Sequence, residues 1–150
     1  MNKYDCLKIE NQLCFPLYAS AKEVVRQYKP FLDRVGLTYT QYITMMILWE
    51  AHDSDPSGSM NVKALGERLF LDSGTLTPLL KKLETKGLIS RSRGSADERN
   101  VFVRATEEGM LLREQCLSVP QEVGNCIPLT PEESVTLYGL LYKILGSVSV

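Results

Sequence analysis

"NVKALGERLFLDSGTLTPLLKKLETKG" (Asn61–Gly87) reads as two short amphipathic helices with almost nothing between them. In "NVKALGERLF" the apolar positions Val62, Leu65 and Leu69 recur at steps of three and four. Leu76, Leu80 and Leu83 do the same in "GTLTPLLKKLETKG". Only "LDS" separates the two patterns, with Asp72 or Ser73 available as N-cap, and Gly87 is placed to close the second helix. Two short helices joined by about three residues make a helix-turn-helix. Directly downstream, "LISRSR" and "NVFVRA" alternate apolar and polar residues, joined by the turn-rich "GSADE". A β-hairpin behind a helix-turn-helix predicts a winged helix, carried on a mostly α chain.

The flanks read as helical scaffold. Upstream, Ile9, Leu13, Leu17, Ala21, Val24, Tyr28 and Phe31 predict one long amphipathic helix or two in line, ended by Pro30 and "DRVG". Thr38 and Gln41 form a capping box that opens a second helix through "YITMMILWEA", apolar nearly all round and therefore buried. "HDSDPSGSM" then predicts a surface loop. Downstream, helices are expected at about 106–118 and 131–148, with "VPQEVGNCIP" as a connection. Thr130, Pro131 and Glu133 supply N-cap, first-turn proline and capping glutamate. Val135, Leu137, Tyr138, Leu140, Leu141, Tyr142, Ile144 and Leu145 wrap most of the last helix, so it is expected to pack on a second subunit.

The 150 residues fit one domain, 1–150, with a winged helix-turn-helix at about 61–105 and dimerisation helices at about 7–35 and 106–148. No apolar run of about 18 residues exists, and the N-terminus lacks a secretory h-region, which predicts a cytoplasmic protein with no membrane partner. Cys6, Cys14, Cys116 and Cys126 are then expected to be reduced at rest. They show no paired C-x-x-C and no supporting histidines, so neither a metal nor another cofactor is expected. The net charge is −1, yet residues 61–104 carry nine Lys/Arg against five Asp/Glu, leaving the flanks acidic. That asymmetry fits a DNA-reading module on a separate scaffold.

The second helix of a helix-turn-helix enters the major groove with its N-terminal residues toward base edges. Here that end carries Ser73, Thr75, Thr77 and Pro78; hydroxyls can contact bases or phosphates, and the threonine methyls can touch thymine. Lys81 and Lys82 would reach phosphates and fix register. On the hairpin, Arg91, Arg93 and Arg99 suit a minor groove, and Asp97 is expected to pair with Arg99 and hold the hairpin in shape. Singly, such hydroxyls are more often helix caps and such lysines solvated surface. The order of helix, turn, helix and arginine-flanked hairpin carries the DNA reading.

"LTYTQYITMMILWE" (37–50) and "GERLFLDSGTLTPLLKKLETKGLISRSRGSADERNVFVRATEEG" (66–109) resemble the MarR-type winged-helix repressors. "QLCFPLY" (Gln12–Tyr18) and "LDSGTLTPLLK" (Leu71–Lys81) are similar to the organic-hydroperoxide-sensing branch. The resemblance implies a homodimer formed by the N- and C-terminal helices and a double-stranded, pseudo-palindromic DNA operator. It also implies repression relieved when Cys14 is oxidised by an organic hydroperoxide. It further implies that Tyr28 and Tyr39 hydrogen-bond the reactive sulfur. In two-cysteine members a partner from the other subunit resolves the oxidised thiol, a placement that Cys126 fits best and Cys116 second; a low-molecular-weight thiol is the other route.

The residues themselves constrain this chemistry. A lone cysteine among Leu13, Phe15 and Leu17 would ordinarily be packing, and no Lys, Arg or His lies within three residues of Cys14. Pro16 is tolerated in a first turn but costs about 3 kcal/mol in a helix interior. It therefore predicts that the helix starts near Cys14, where backbone N–H groups and the macrodipole favour a thiolate. Tyr28 lies fourteen residues on, about 21 Å along one helix, so it can meet Cys14 only across an antiparallel dimer. Tyr18, one turn from Cys14, is a weaker candidate. Pro16 and the long "HDSDPSGSM" loop depart from the family pattern. Two rival readings stand beside this one: a repressor released by a small phenolic ligand, and a peroxidase-like thiol enzyme.

Overall fold

The computed structural model describes residues 2–55 and 57–147, the side chain of residue 147 excepted. Helix α1 (Cys14–Asp33) begins later than the apolar periodicity suggests; residues 5–7 and 9–11 form two separate 3-10 turns. Pro16 has no N–H to give Gln12, and Gln12 is extended, so the helix begins two residues beyond it, at Cys14. Pro30, expected to end α1, lies inside it. The carbonyl it deprives, that of Arg26, belongs to an exposed residue on a face open to water, while buried Leu32 anchors the last turn. The helix stops at a Schellman-type exit, with Leu37 N–H on Leu32 O at 3.1 Å and Gly36 N–H on Asp33 O at 3.3 Å.

Helix α2 (Tyr39–Ser54) starts at the expected box: Gln41 N–H on Thr38 Oγ1 at 3.4 Å, and Thr38 N–H on Gln41 Oε1 at 3.1 Å. It threads the centre of the molecule, burying Tyr42, Met45, Leu48 and Trp49. The stretch read as a loop is shorter than expected, because α2 runs through Ser54 and Ser59–Asn61 forms strand β1. Three residues are too few to show a period of two, so the strand is invisible until β3 pairs with it.

Helix α3 (Val62–Leu69) and helix α4 (Ser73–Thr85) make the helix-turn-helix, and strands β2 (Ile89–Arg93) and β3 (Val101–Ala105) make the hairpin. The sheet is antiparallel in the order β1-β3-β2. Asp72, not Ser73, caps α4, accepting from Thr75 N–H at 2.8 Å. Gly87, at φ 74, supplies the left-handed turn into β2.

Helix α5 (Glu107–Gln115) is bolted to the hairpin base. Thr106 Oγ1 donates to Gly87 O at 2.6 Å and accepts from Gly109 N–H at 3.1 Å, while Trp49 Nε1–H reaches Gly109 O at 2.8 Å. A Cβ on Gly109 would stand 2.1 Å from Leu88 O. The "VPQEVGNCIP" connection is a correction: its first part is a short helix, α6 (Val119–Gly124), which buries Val119 and Val123 against the end of α1. Helix α7 (Pro131–Ser147) opens with the expected reciprocal bonds between Thr130 and Glu133; its expected end at Val148 lies outside the described residues. Its apolar residues stand in solvent, Val135 at 74% and Leu140 at 54% exposure. Among the described residues no helix is long and apolar enough to cross a membrane.

Candidate functional site

Helix α4 presents two faces set by its leucines. Leu76, Leu79, Leu80 and Leu83 are buried, which turns Ser73, Thr75, Thr77, Pro78, Lys81 and Lys82 outward. Neither lysine ammonium is hydrogen-bonded or ion-paired among the described residues. The hairpin loop is braced internally. Asp97 accepts from the Arg99 backbone at 3.0 Å and from its guanidinium twice at 3.1 Å, which holds the Asp97 carboxyl below the usual carboxylate range. Gly94 N–H closes on Asn100 O at 2.7 Å. Arg99 remains 91% exposed by side chain despite its pair, and Arg93 is exposed.

Arg91 is placed differently from its two neighbours. Its guanidinium donates to Glu84 Oε2 of α4 at 3.0 and 2.5 Å, holding that carboxyl below its ordinary range. It ties the hairpin to the recognition helix rather than pointing away with Arg93 and Arg99. Between the start of α3, the start of α4 and the hairpin loop lies an open cleft of about 970 Å³. Lys63 and Asn100 line it with Ser73, Thr77 and Arg99, and neither was singled out from sequence. The signal for Lys63 was present: it is a cation in the first turn of a helix, where the macrodipole disfavours one.

At the other end of the molecule, Cys14 is the first residue of α1 and is exposed. Leu13, Phe15, Leu17 and Tyr18 around it are exposed as well, Leu13 to 79%, so the thiol sits in an apolar collar open to solvent. Tyr18 carries Lys22 over its ring at 5.2 Å. Tyr28 and Tyr39 lie together at the far end of α1, ring centroids 4.9 Å apart, with Tyr42 5.9 Å from Tyr28. Burial pushes all three phenols up, Tyr42 to about 12, with the neighbouring Tyr39 adding to the effect at Tyr28. They are therefore neutral O–H donors at physiological pH. Tyr42 was missed because it reads as core, which it also is.

The remaining thiols separate cleanly. Cys116 is in the core, 4% exposed, and burial pushes its thiol up. Cys126 is exposed just beyond α6, its Sγ–H directed at Glu122 O at 3.4 Å. Cys6 is exposed in the first 3-10 turn.

The organic hydroperoxide resistance transcriptional regulator of Bacillus subtilis (strain 168) is 46% identical over 147 residues, 98% of this chain and 96% of that protein. The family described as transcriptional regulator SarA/Rot matches residues 26–115. This chain belongs to the MarR/SarA-type winged-helix transcriptional regulators. Another member, the HTH-type transcriptional regulator SarZ of Staphylococcus epidermidis, is 43% identical over 129 residues, 86% of this chain and 83% of that one. Among solved structures of the family, overoxidized AbfR bound to DNA superposes with a TM-score of 0.75 at 29% identity, covering 99% of this chain and 100% of that one. Reduced AbfR bound to DNA gives the same score at 28% identity, with the same coverage. In this regulator an outward-facing helix α4 with its hairpin and an exposed thiol at the start of α1 stand in one chain.

Proposed function

We propose that this protein is a dimeric DNA-binding repressor that releases its operator when an organic hydroperoxide oxidises Cys14. The observation that carries the reading is the position of Cys14: an exposed thiol, first in its helix, inside an apolar collar that suits an alkyl or aryl peroxide. Relatives add support, since one is named for organic hydroperoxide resistance and another is solved on DNA in reduced and overoxidized forms.

The α4 hydroxyls of Ser73, Thr75 and Thr77 face base edges, with Pro78 beside them. Lys81 and Lys82 hold phosphates, Arg93 and Arg99 enter the minor groove, and Asp97 shapes the loop. Lys63 contacts the backbone from the cleft, and Arg91 acts mainly by tethering the hairpin. The exposed apolar residues of α7 and of the start of α1 are covered by a second copy, which repeats the recognition helix for a pseudo-palindromic site.

In the reaction, the Cys14 thiolate attacks the peroxide; an S–O bond forms, the O–O bond breaks and the alcohol leaves with a proton. The sulfenic acid is an electrophile. Tyr28 and Tyr39 of the partner subunit donate to the sulfur site, and Tyr18 flanks it. Attack by a second thiol forms S–S and releases water. Cys126 is the better resolving residue because it is exposed, whereas burial holds Cys116 back as a neutral thiol. A low-molecular-weight thiol serves if neither reaches.

The test treats reduced protein with one equivalent of cumene hydroperoxide and measures affinity for a duplex selected by the reduced protein from a random library. Wild type should lose affinity and Cys14→Ser should not. Release by salicylate with indifference to peroxide would replace this reading with the ligand-gated one. Repeated turnover with added thiol would replace it with the enzyme. A non-reducing gel with Cys126→Ser and Cys116→Ser assigns the resolving thiol; an intersubunit band that survives in Cys126→Ser removes that assignment.

A further inference from the structure

We infer that Lys86 is a positioning residue that transmits the state of the tyrosine end of α1 to the recognition helix; this rests on the proposed Cys14 switch. Lys86 is the C-cap of α4, its N–H bonded to Lys82 O at 3.1 Å. Its ammonium leaves α4 altogether. Nζ donates to the carbonyl of Gly36, at the exit of α1, and to Gln41 Oε1 of α2 at 3.1 Å. Those acceptors lie 50 and 45 residues away in sequence.

Gln41 is 3% exposed and is the N3 residue of the α2 capping box; the same Oε1 that takes the ammonium also takes Thr38 N–H. Tyr39 is the first residue of that helix and packs its ring at a tilt against Tyr28. A shift of the two phenols therefore moves the turn that holds Gln41. One N–H of Lys86 is held by Gln41 in that turn and a second by Gly36 just ahead of it, so the ammonium follows the junction while its backbone is fixed to the end of the recognition helix. At its other side α4 is held by Glu84 to Arg91 of the hairpin. The recognition helix is thus clamped between the hairpin and the α1–α2 junction, and the ammonium sits favourably at the C-terminal exit of α1.

The experiment compares wild type, Lys86→Met and Lys86→Arg on the library-selected duplex, reduced and after one equivalent of cumene hydroperoxide. Wild type should lose about 30-fold in affinity on oxidation, inside the usual range for coupled sites. Lys86→Met should bind within about threefold of wild type when reduced yet lose no more than about threefold when oxidised. Lys86→Arg should restore most of the difference. If Lys86→Met only lowers thermal stability and keeps the full oxidative loss, Lys86 is structural and the inference is overturned. An equal affinity loss in both redox states would make Lys86 a phosphate contact and overturn it too. Should Lys86→Met not fold, hydrogen exchange on wild type decides: oxidation must change protection at Gln41 and in the last turn of α4 together. Failure of wild type to release, or release by Cys14→Ser, overturns the Cys14 reading instead.

Discussion

The central lobe and the terminal helices of this chain solve burial in opposite ways. Around α2 the leucines of α3, α4 and α5 close on Met45, Leu48 and Trp49, and among the described residues no buried side-chain polar atom lacks a partner. Helix α7 leaves Val135 and Leu140 in solvent, and the start of α1 leaves Phe15 and the preceding Leu13 there. The helix starts divide along a different line, which sets the helix-turn-helix apart from α5 and α7. Helices α5 and α7 carry pairs of glutamates in their first turns, as the macrodipole favours, whereas α3 and α4 carry no acid there and α3 carries Lys63. The central lobe is finished against itself and left electropositive toward something outside. The terminal helices are unfinished until a second chain arrives.

The sharpest way to break this contrast is at α7. Leu140→Asp should leave the central lobe folded by circular dichroism but convert the dimer to monomer in sedimentation. With the two half-sites uncoupled, affinity for DNA should fall by about 10²–10³-fold. Gly109→Ala strikes the other lobe. Its methyl would press on the backbone of Leu88, which cannot yield as a side-chain tip can, so urea denaturation should show a loss of about 3 kcal/mol. A dimer that survives in the residual folded fraction would confirm that the two lobes fail separately. Lys63→Gln should do least, weakening binding to all sequences by a few-fold. Its diagnostic is the salt dependence: the slope of log K against log salt should become shallower by about 0.9 for each phosphate left without its cation. An unchanged slope removes Lys63 from the interface.

What could be read in advance follows from range. The helix-turn-helix, the Asp72 cap and Gly87 end of its second helix, and the hairpin are determined within a few residues, and the structure has them as expected. The Asn61 cap and left-handed Phe70 of the first helix were not foreseen. The two prolines of α1 show where local reading divides. Pro16 marks the helix start because Gln12, whose carbonyl it cannot serve, is extended and lies outside the helix. Pro30 forgoes the same bond yet ends nothing, because the residue it deprives, Arg26, lies on an exposed face and buried Leu32 pins the next turn. No local rule distinguishes them. Strand β1 exists only through β3, α6 only through its packing on α1, and Tyr42 joins the phenols only through the crossing of α1 and α2. Of the candidate site, the thiol, the hydroxyls and the loop cations were legible. The redirection of Arg91 to Glu84 and the reach of Lys86 were not, since each depends on partners brought near by the fold.

Helix α1 also acts as a ruler. Its twenty residues set the thiol at one end and two phenols at the other. On the shared-site reading, two such rulers laid head to tail match at both ends only if they are equally long. A change of one turn in the middle of α1 would therefore spoil both sensing sites at once, with every chemical group in them still present.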